Sequence, residues 1–142
     1  MITLYVAVSL THVKTEQERQ EIRDFLKWLE VTFHVRILTW AFDLDTWTPL
    51  PVDDIYEYDT KKVLAADMMI VLYLSNDGSD GRGGEVVNRT NSGKPILAFA
   101  REGVKVSRYS ADRLKGVGSG IKTFRTFTDM EDSINRALLL LP

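Results

Sequence analysis

The stretch Met68-Met69-Ile70-Val71-Leu72-Tyr73-Leu74 is the most hydrophobic in the sequence, and a glycine-rich segment from Ser75 to Gly84 follows it. A continuous apolar run bounded by turn-forming residues is typical of a strand buried on both faces of a parallel sheet. A helix is predicted from about Gly84 to Ser92, where Gly93 is suited to the left-handed C-cap conformation. Pro95 to Ala100 then predicts the next strand. This order of strand, loop, helix and strand is a βαβ unit.

The same alternation extends to both ends of the chain. Apolar runs predict strands at Ile2–Leu10 and Val35–Trp40, and a period-two pattern predicts another at Lys122–Phe127. The predicted helices are Glu16–Glu30 after a capping box of Thr15 and Glu18, Asp54–Ala65, and a C-terminal helix after a second box of Thr128 and Glu131. Long loops are predicted at Ala41–Val52, Ser75–Gly84 and Arg101–Gly120.

Five strands alternating with four helices imply right-handed crossovers and a parallel sheet covered on both sides. The predicted fold class is therefore α/β, a doubly wound five-stranded parallel sheet of the flavodoxin/Rossmann-like kind, and residues 1–142 are predicted to be a single domain. A ligand is expected outside the carboxyl ends of the strands, at the switch point of the sheet. Those ends are Val8–His12, Trp40–Trp47, Tyr73–Gly84 and Ala100–Gly103.

The composition of the chain makes several classes of partner and cofactor unexpected. The 18 basic and 20 acidic residues give a formal charge of −2 without a basic block, so no nucleic-acid polymer is expected as a partner. The absence of cysteine agrees with a reducing compartment, and neither a signal peptide nor a membrane span is apparent, so a soluble cytoplasmic protein is predicted. His12 and His34 lack metal-ligand spacing, and dinucleotide and Walker motifs are missing, so neither a metal nor a cofactor is predicted.

Glu85 is the first candidate for chemistry. It follows glycines that allow a ligand to approach the backbone closely, and it is expected in the first turn of a helix, where free N–H groups favour an ionised carboxylate. An ionised carboxylate at this edge is what attack on a glycosidic carbon requires. The alternative is that Glu85 only improves the helix start. The candidate ligand-binding residues of this loop are Gly78, Asp80, Gly81, Arg82, Gly83 and Gly84.

Two aspartates precede the central strand. Asp59 shares a helix face with Tyr56 and Val63, and a carboxylate on an inward face costs free energy unless it is paired or functional. Its alternatives are a salt bridge with Lys62 or a partly exposed edge position. Asp67 joins the helix to the strand and is counted with the substrate-binding candidates, although a backbone-bonding role is favoured for it.

The ordered set Ala66-Asp67, apolar strand, Gly81 to Glu85 and Gly93-Lys94-Pro95 resembles the nucleoside 2-deoxyribosyltransferase superfamily, which includes deoxynucleoside 5′-monophosphate N-glycosidases. The resemblance covers about Asp54 to Arg101. It implies that Glu85 is the nucleophile of a covalent glycosyl-enzyme intermediate and that Asp59 assists departure of the base. It also implies that Tyr5 lies near the nucleophile. Asp80 falls one position from the family's base-contacting aspartate, and Ser9 is a further substrate-binding candidate in the turn after the first strand.

The resemblance implies an enzyme that cleaves the N-glycosidic bond of a nucleoside or its 5′-monophosphate. Two alternatives stay open: a non-catalytic nucleotide-sensing domain, and a TIR-like domain that cleaves NAD. A homo-oligomer, specifically a dimer, is also expected, because the helix with Tyr56 and the aromatics Trp40, Phe42 and Trp47 suggest spare apolar surface. The alternative is that these aromatics line the pocket.

Overall fold

The computed structural model describes residues 1–10, 13–38, 40–76 and 80–142, and for residues 80–85 it describes the backbone alone. Strands in the described residues are β1 (Thr3–Val8), β2 (Arg36–Leu38), β3 (Phe42–Asp43), β4 (Thr48–Pro49), β5 (Met68–Tyr73), β6 (Ile96–Arg101) and β7 (Lys122–Phe124). Helices are α1 (Glu16–Phe33), α2 (Ile55–Ala65), α3 (Asp80–Ser92), α4 (Arg108–Gly116) and α5 (Glu131–Leu139), the last preceded by a 3-10 helix at Phe127–Met130.

The main sheet has five strands in the order β2-β1-β5-β6-β7, and every neighbouring pair is parallel. All six residues of β5 are buried, as expected for a strand with helices on both of its faces. In the register, Tyr5 lies beside Met69 and Val8 beside Leu72, so β1 and β5 end at the same edge. The predicted α/β doubly wound fold is confirmed.

The helices lie on both faces because the path of the chain reverses. The connection from β1 to β2 runs one way along the sheet, and the later connections run the other way, so right-handed crossovers put α1 on one face and α2, α3 and α4 on the other. The 3-10 helix before α5 packs on the α1 face, where the rings of Phe25 and Phe127 are 5.2 Å apart. On the opposite face, Arg113 Nε of α4 donates to Thr90 Oγ1 of α3 at 2.7 Å.

Several local predictions are confirmed. Thr15 and Glu18 form the expected capping box at the start of α1. Gly93 has a φ of 71°, in the left-handed region that the end of α3 requires. In addition, His34 is the left-handed C-cap of α1, and its N–H donates to Glu30 O at 3.0 Å.

Other local predictions are wrong. The helix predicted from about Gly84 begins at Asp80, so the stretch from Asp80 to Gly84 is helical although it was expected to be a loop. The loop predicted from Arg101 to Gly120 contains α4, and the loop from Ala41 to Val52 contains the β3–β4 hairpin.

The second capping box is also misplaced. Instead of a Thr128–Glu131 pair, the side chain of Asp129 accepts from the N–H groups of Thr126 and Arg125, and α5 begins at Glu131 without a side-chain cap.

Candidate functional site

The point where the strand order reverses lies between β1 and β5. Loops leave these two strands in opposite directions, which opens a crevice at their carboxyl ends, next to Val8 and Tyr73. In α/β proteins ligands bind in this crevice. This crevice is therefore where a ligand is expected.

Tyr5 and Ser9 are placed on the β1 side of this crevice. Tyr5 is fully buried and its hydroxyl oxygen has no exposed surface, while Ser9, directly after β1, is 7% exposed. Parallel register puts Tyr5 on the same sheet face as Met69, two pleats before Tyr73 on β5, and Tyr73 also has a buried hydroxyl. Tyr5 and Tyr73 thus lie on the two strands whose carboxyl ends border the crevice, and Ser9 directly follows the first of them; the sequence did not single out Tyr73.

Asp59 is partly buried on α2, and its Oδ1 accepts the N–H of Ala41 at 3.0 Å. Burial raises the pKa of the Asp59 carboxyl above its ordinary value, and the hydrogen bond from Ala41 opposes that rise. Within the described residues Asp59 has no further hydrogen bond and no ion pair, so the alternative of a salt bridge with Lys62 is wrong. Lys62 lies over the ring of Tyr58 instead, at 5.3 Å.

The helix face expected to hold Asp59 is only partly inward. Val63 is fully buried, as predicted, but Tyr56 is 67% exposed. The neighbouring Thr60 receives a hydrogen bond from Asn88 Nδ2 at 3.4 Å, and the same Nδ2 is 3.5 Å from the hydroxyl of Tyr56. Asn88 therefore joins α3 to the helix turn that holds Asp59.

Position 85 lies on α3 one turn before this junction. With about 100° per residue, Glu85 is about 40° around the helix from Arg89 and about 60° from Asn88, the two residues that contact α2. The backbone thus puts position 85 on the side of α3 that faces α2. Because α3 begins at Asp80, Glu85 is the sixth helical residue, and the expectation that it lies in the first turn is wrong.

Arg89 is a fully buried cation that the sequence analysis did not identify. Its guanidinium donates to Val63 O and Ala66 O at the end of α2, both at 2.8 Å, and to Pro95 O before β6 at 3.0 and 3.1 Å. Burial lowers the pKa of Arg89 to about 10, which leaves it charged at neutral pH. Arg89 therefore fixes the position of α3 against the helix that carries Asp59.

Most of the remaining candidates lie in the connection that follows β5. Gly78 and His12 lie outside the described residues. Asp80, Gly81, Arg82, Gly83 and Gly84 form the first turn and a half of α3, in the connection that leaves the carboxyl end of β5. Their backbone position agrees with the crevice in which the sequence places them.

Asp67 lies at the opposite edge of the sheet, just before the amino end of β5. Its Oδ2 accepts the N–H of Thr3 at 2.8 Å and the hydroxyl of Thr3 at 3.1 Å. The hydrogen bond from the Thr3 N–H is the largest cause of a pKa below the ordinary value for the Asp67 carboxyl. These are the contacts of the favoured backbone-bonding role, and they place Asp67 at the other end of the strands from the crevice.

The aromatics expected to be exposed are mostly covered. Trp40 is only 5% exposed, and Phe42 and Trp47 are partly buried and pack edge to face, with ring centroids 5.3 Å apart. Trp40 and Phe42 directly flank Ala41, whose N–H donates to Asp59. The burial of these aromatics contradicts the expectation that they form spare apolar surface, and the alternative that they line a pocket stays a prediction.

Neither a metal site nor a membrane span is found in the part of the chain that the structure describes. No three His, Asp or Glu side chains there are grouped to hold a metal ion. No helix there is long and apolar enough to cross a bilayer.

No known protein-family model matches the sequence, and no curated protein sequence matches it significantly. Solved structures do match. The CMP N-glycosidase BcmB of Clostridium botulinum has a TM-score of 0.63 and 15% identity, over 94% of this chain and 98% of its own. A conserved protein from Enterococcus faecalis V583 has a TM-score of 0.70 and 16% identity, over 96% and 98%. A 2-deoxyribosyltransferase from Bacillus psychrosaccharolyticus has a TM-score of 0.59 and 15% identity, over 91% and 90%.

These structures share the fold of this chain along almost its whole length. At 15 to 16% identity the likeness establishes the fold. The fold is thus one that an N-glycosidase and a 2-deoxyribosyltransferase also have, as the sequence resemblance implied.

Proposed function

We propose that this chain belongs to the N-glycosidase and deoxyribosyltransferase class of enzymes. More particularly, we propose that it cleaves the N-glycosidic bond of a deoxynucleoside or nucleoside, or of its 5′-monophosphate, with Glu85 as nucleophile and Asp59 as proton donor. The carrying observation is Asp59: a partly buried carboxyl with a raised pKa, on the helix that packs against α3. The shared fold with a CMP N-glycosidase and a 2-deoxyribosyltransferase supports the same class.

The reaction is a double displacement. The carboxylate of Glu85 forms a bond to C1′ of the sugar while the bond from C1′ to the base nitrogen breaks and its electron pair leaves with the base. Asp59 gives its proton to the departing base. Water or a second base then attacks C1′, Asp59 takes up the proton released, and Glu85 is freed with net retention at C1′.

The surroundings of each carboxyl agree with its role. A proton donor has to hold its proton near neutral pH, and burial raises the pKa of Asp59 in that direction. A nucleophile has to be ionised. Glu85 has Arg89 four residues further on, a cation that donates to carbonyl oxygens and also interacts with Asp67, and a positive charge at this helical spacing favours a carboxylate.

The test is release of free base from a panel of deoxynucleosides, nucleosides, their 5′-monophosphates and NAD. We expect turnover of at least one nucleoside or monophosphate by the wild type and its loss to background in Glu85→Gln, because an amide does not attack C1′. Glu30→Gln, an exposed glutamate on the other face of the sheet, is the matched control and should keep wild-type activity.

Each contrary result points elsewhere. Undiminished turnover in Glu85→Gln would exclude the nucleophile assignment. Turnover of NAD alone would support the TIR-like alternative, and nucleotide binding without any turnover would support a sensing domain.

A further inference from the structure

A small hairpin connects Asp59 to the far side of the molecule. Its base is Ala41, whose N–H donates to Asp59 Oδ1 at 3.0 Å and whose carbonyl accepts the N–H of Leu50 at 3.1 Å. The hairpin between them consists of β3 and β4, which pair through only two residues each, Phe42 with Pro49 and Asp43 with Thr48. A two-stranded hairpin this short is not stable alone, so its position depends on what holds its tip.

The tip is held by α1. Two guanidinium groups of that helix lie against the ring of Trp47, with the carbon of Arg19 at 5.4 Å and that of Arg23 at 5.6 Å from the ring centre. Arg23 Nε also donates to Leu44 O in the hairpin turn at 2.8 Å, and Arg23 forms a 2.7 Å ion pair with Glu16. Arg23 therefore contacts the hairpin at two points, the backbone carbonyl of Leu44 and the ring of Trp47.

The backbone of Trp47 indicates that these contacts determine the tip conformation. Its φ is 58°, in the left-handed region that a bulky residue adopts only when the surroundings impose it. The turn before Trp47 is closed by the side chain of Asp43, which accepts the N–H groups of Asp45 and Thr46, and the ring of Trp47 is held by the two arginines and by the edge-to-face contact with Phe42 at 5.3 Å. A tip fixed in this way transmits its position along the hairpin to Ala41.

We propose that the hairpin is a brace for the site, in which Trp47 and Arg23 act as positioning residues that hold the carboxyl of Asp59 through the amide of Ala41. Its consequence for activity rests on the proposed function. With Oδ1 held by Ala41, the other oxygen of Asp59 is left to carry the proton and to point it at the departing base. Loosening the tip should misplace that proton without touching the substrate or Glu85.

The brace is tested first without any substrate. Hydrogen exchange of the Ala41 amide should be faster in Trp47→Leu and in Arg23→Ala than in the wild type by about tenfold or more, because opening the hairpin breaks the bond to Asp59. Trp28→Leu is the matched control, since Trp28 packs on Phe25 and Phe127 on the α1 face. Unchanged exchange at Ala41 in both hairpin variants, or equal acceleration in Trp28→Leu, would overturn the brace.

The second test is a double-mutant cycle on base release. Trp47→Leu should lower kcat by about 10- to 100-fold for bases that need protonation to leave. It should add less than about twofold when Asp59 is already Asn, because residues that act through one another are not additive. Trp47→Phe keeps an aromatic face for the arginines and should restore part of the rate. An equal loss in the Asp59→Asn background would overturn the coupling to Asp59.

The two proposals fail in different ways. If the wild type releases no base from any substrate, the proposed function fails, and exchange at Ala41 still decides whether the brace exists. If the wild type is active but Trp47→Leu and Arg23→Ala keep full activity on every base, the brace has no part in the reaction.

Discussion

Asp59 is a carboxyl whose surroundings favour its neutral form. Ionised carboxylates in proteins are usually held by cations or by several N–H groups, but Asp59 has the single amide of Ala41 within the described residues. Asp67, in contrast, accepts both the N–H and the hydroxyl of Thr3, and its pKa is lowered. Two aspartates eight positions apart on the same connection thus have opposite electrostatic roles, one structural and one suited to proton transfer.

Asp59→Asn should therefore raise stability at neutral pH while lowering activity. The folded-state pKa of Asp59 lies above the unfolded value of about 3.8, so its ionisation costs stability above the folded pKa and costs nothing below pH 3.8. Asparagine keeps an oxygen for the Ala41 N–H and does not ionise. Base release should fall by about 10²- to 10⁴-fold for poor leaving groups and less for good ones.

Thermal unfolding between pH 7 and pH 3.5 checks this prediction. The Tm advantage of Asp59→Asn should be largest at pH 7 and disappear as the pH falls toward 3.8. Asp112→Asn changes an aspartate whose side chain is 69% exposed and should alter stability by less than about 0.5 kcal/mol. A variant less stable than wild type at pH 7 would mean that the ionised Asp59 is favourably held.

The elements of the sheet and the first helix could be predicted because their signals are local. The β5 run and the Thr15–Glu18 capping box are sequence patterns that lead directly to structure. In contrast, α4 buries only Ser110 and Leu114, so its sequence lacks an apolar face. The first turn and a half of α3 was not predicted, because three of its residues are glycines with low helix propensity.

The site could be predicted only in part for the same reason. The helix face on which Asp59 lies could be predicted from its helical spacing with Val63, and its place before the central strand from the order of the chain. Its partner Ala41 is 18 residues away, beyond a chain segment without a regular pattern, and the left-handed φ of Trp47 has no sequence signature. Arg89 was missed because a basic residue in a polar helix is normally assigned to the surface.

Arg89 is the strongest link between α2 and α3. Its removal should leave the carbonyls of Val63 and Ala66 without this donor, and each such group costs about 1–3 kcal/mol, whereas Pro95 O still accepts the N–H of Met69 at 3.1 Å. We expect Arg89→Met to lose about 3–5 kcal/mol of stability in denaturant unfolding. Arg89→Lys should lose less, since an ammonium group reaches some of these oxygens.

Arg113→Met is the control for Arg89. Arg113 bonds to the side chains of Thr90 and Asn91 at the partly exposed junction with α4, so its removal should cost about 1 kcal/mol or less. Equal losses in the two variants would mean that the buried contacts of Arg89 contribute little.

At the scale of the whole molecule, both faces of the sheet contribute to one hydrophobic core, but only one face carries the candidate site. On the face with α2 and α3, three apolar side chains of α2 are exposed, namely Ile55 (49%), Tyr56 (67%) and Leu64 (41%). These residues, rather than the buried Trp40, are the surface that a second copy would cover. That residues 1–142 form one domain stays a prediction.

We expect the protein to sediment at micromolar concentration as a dimer of 16.2 kDa chains. Leu64→Glu should shift it to the monomer, because a charge buried at an interface is costly. Val31→Glu alters an exposed apolar residue (64%) on α1, across the sheet, and should leave the dimer intact. A wild-type protein found only as a 16 kDa species would refute the expected dimer.

The three tryptophans lie in different surroundings, and this gives the protein its own spectroscopic reporter. Trp28 packs on Phe25 and Phe127, Trp47 lies at the hairpin tip against Arg19 and Arg23 of α1, and Trp40 directly precedes Ala41, the partner of Asp59. In a Trp28→Phe protein all indole emission comes from the two ends of the hairpin. A purine or pyrimidine entering the crevice should then quench or shift that emission, so affinity could be titrated without a label and without turnover.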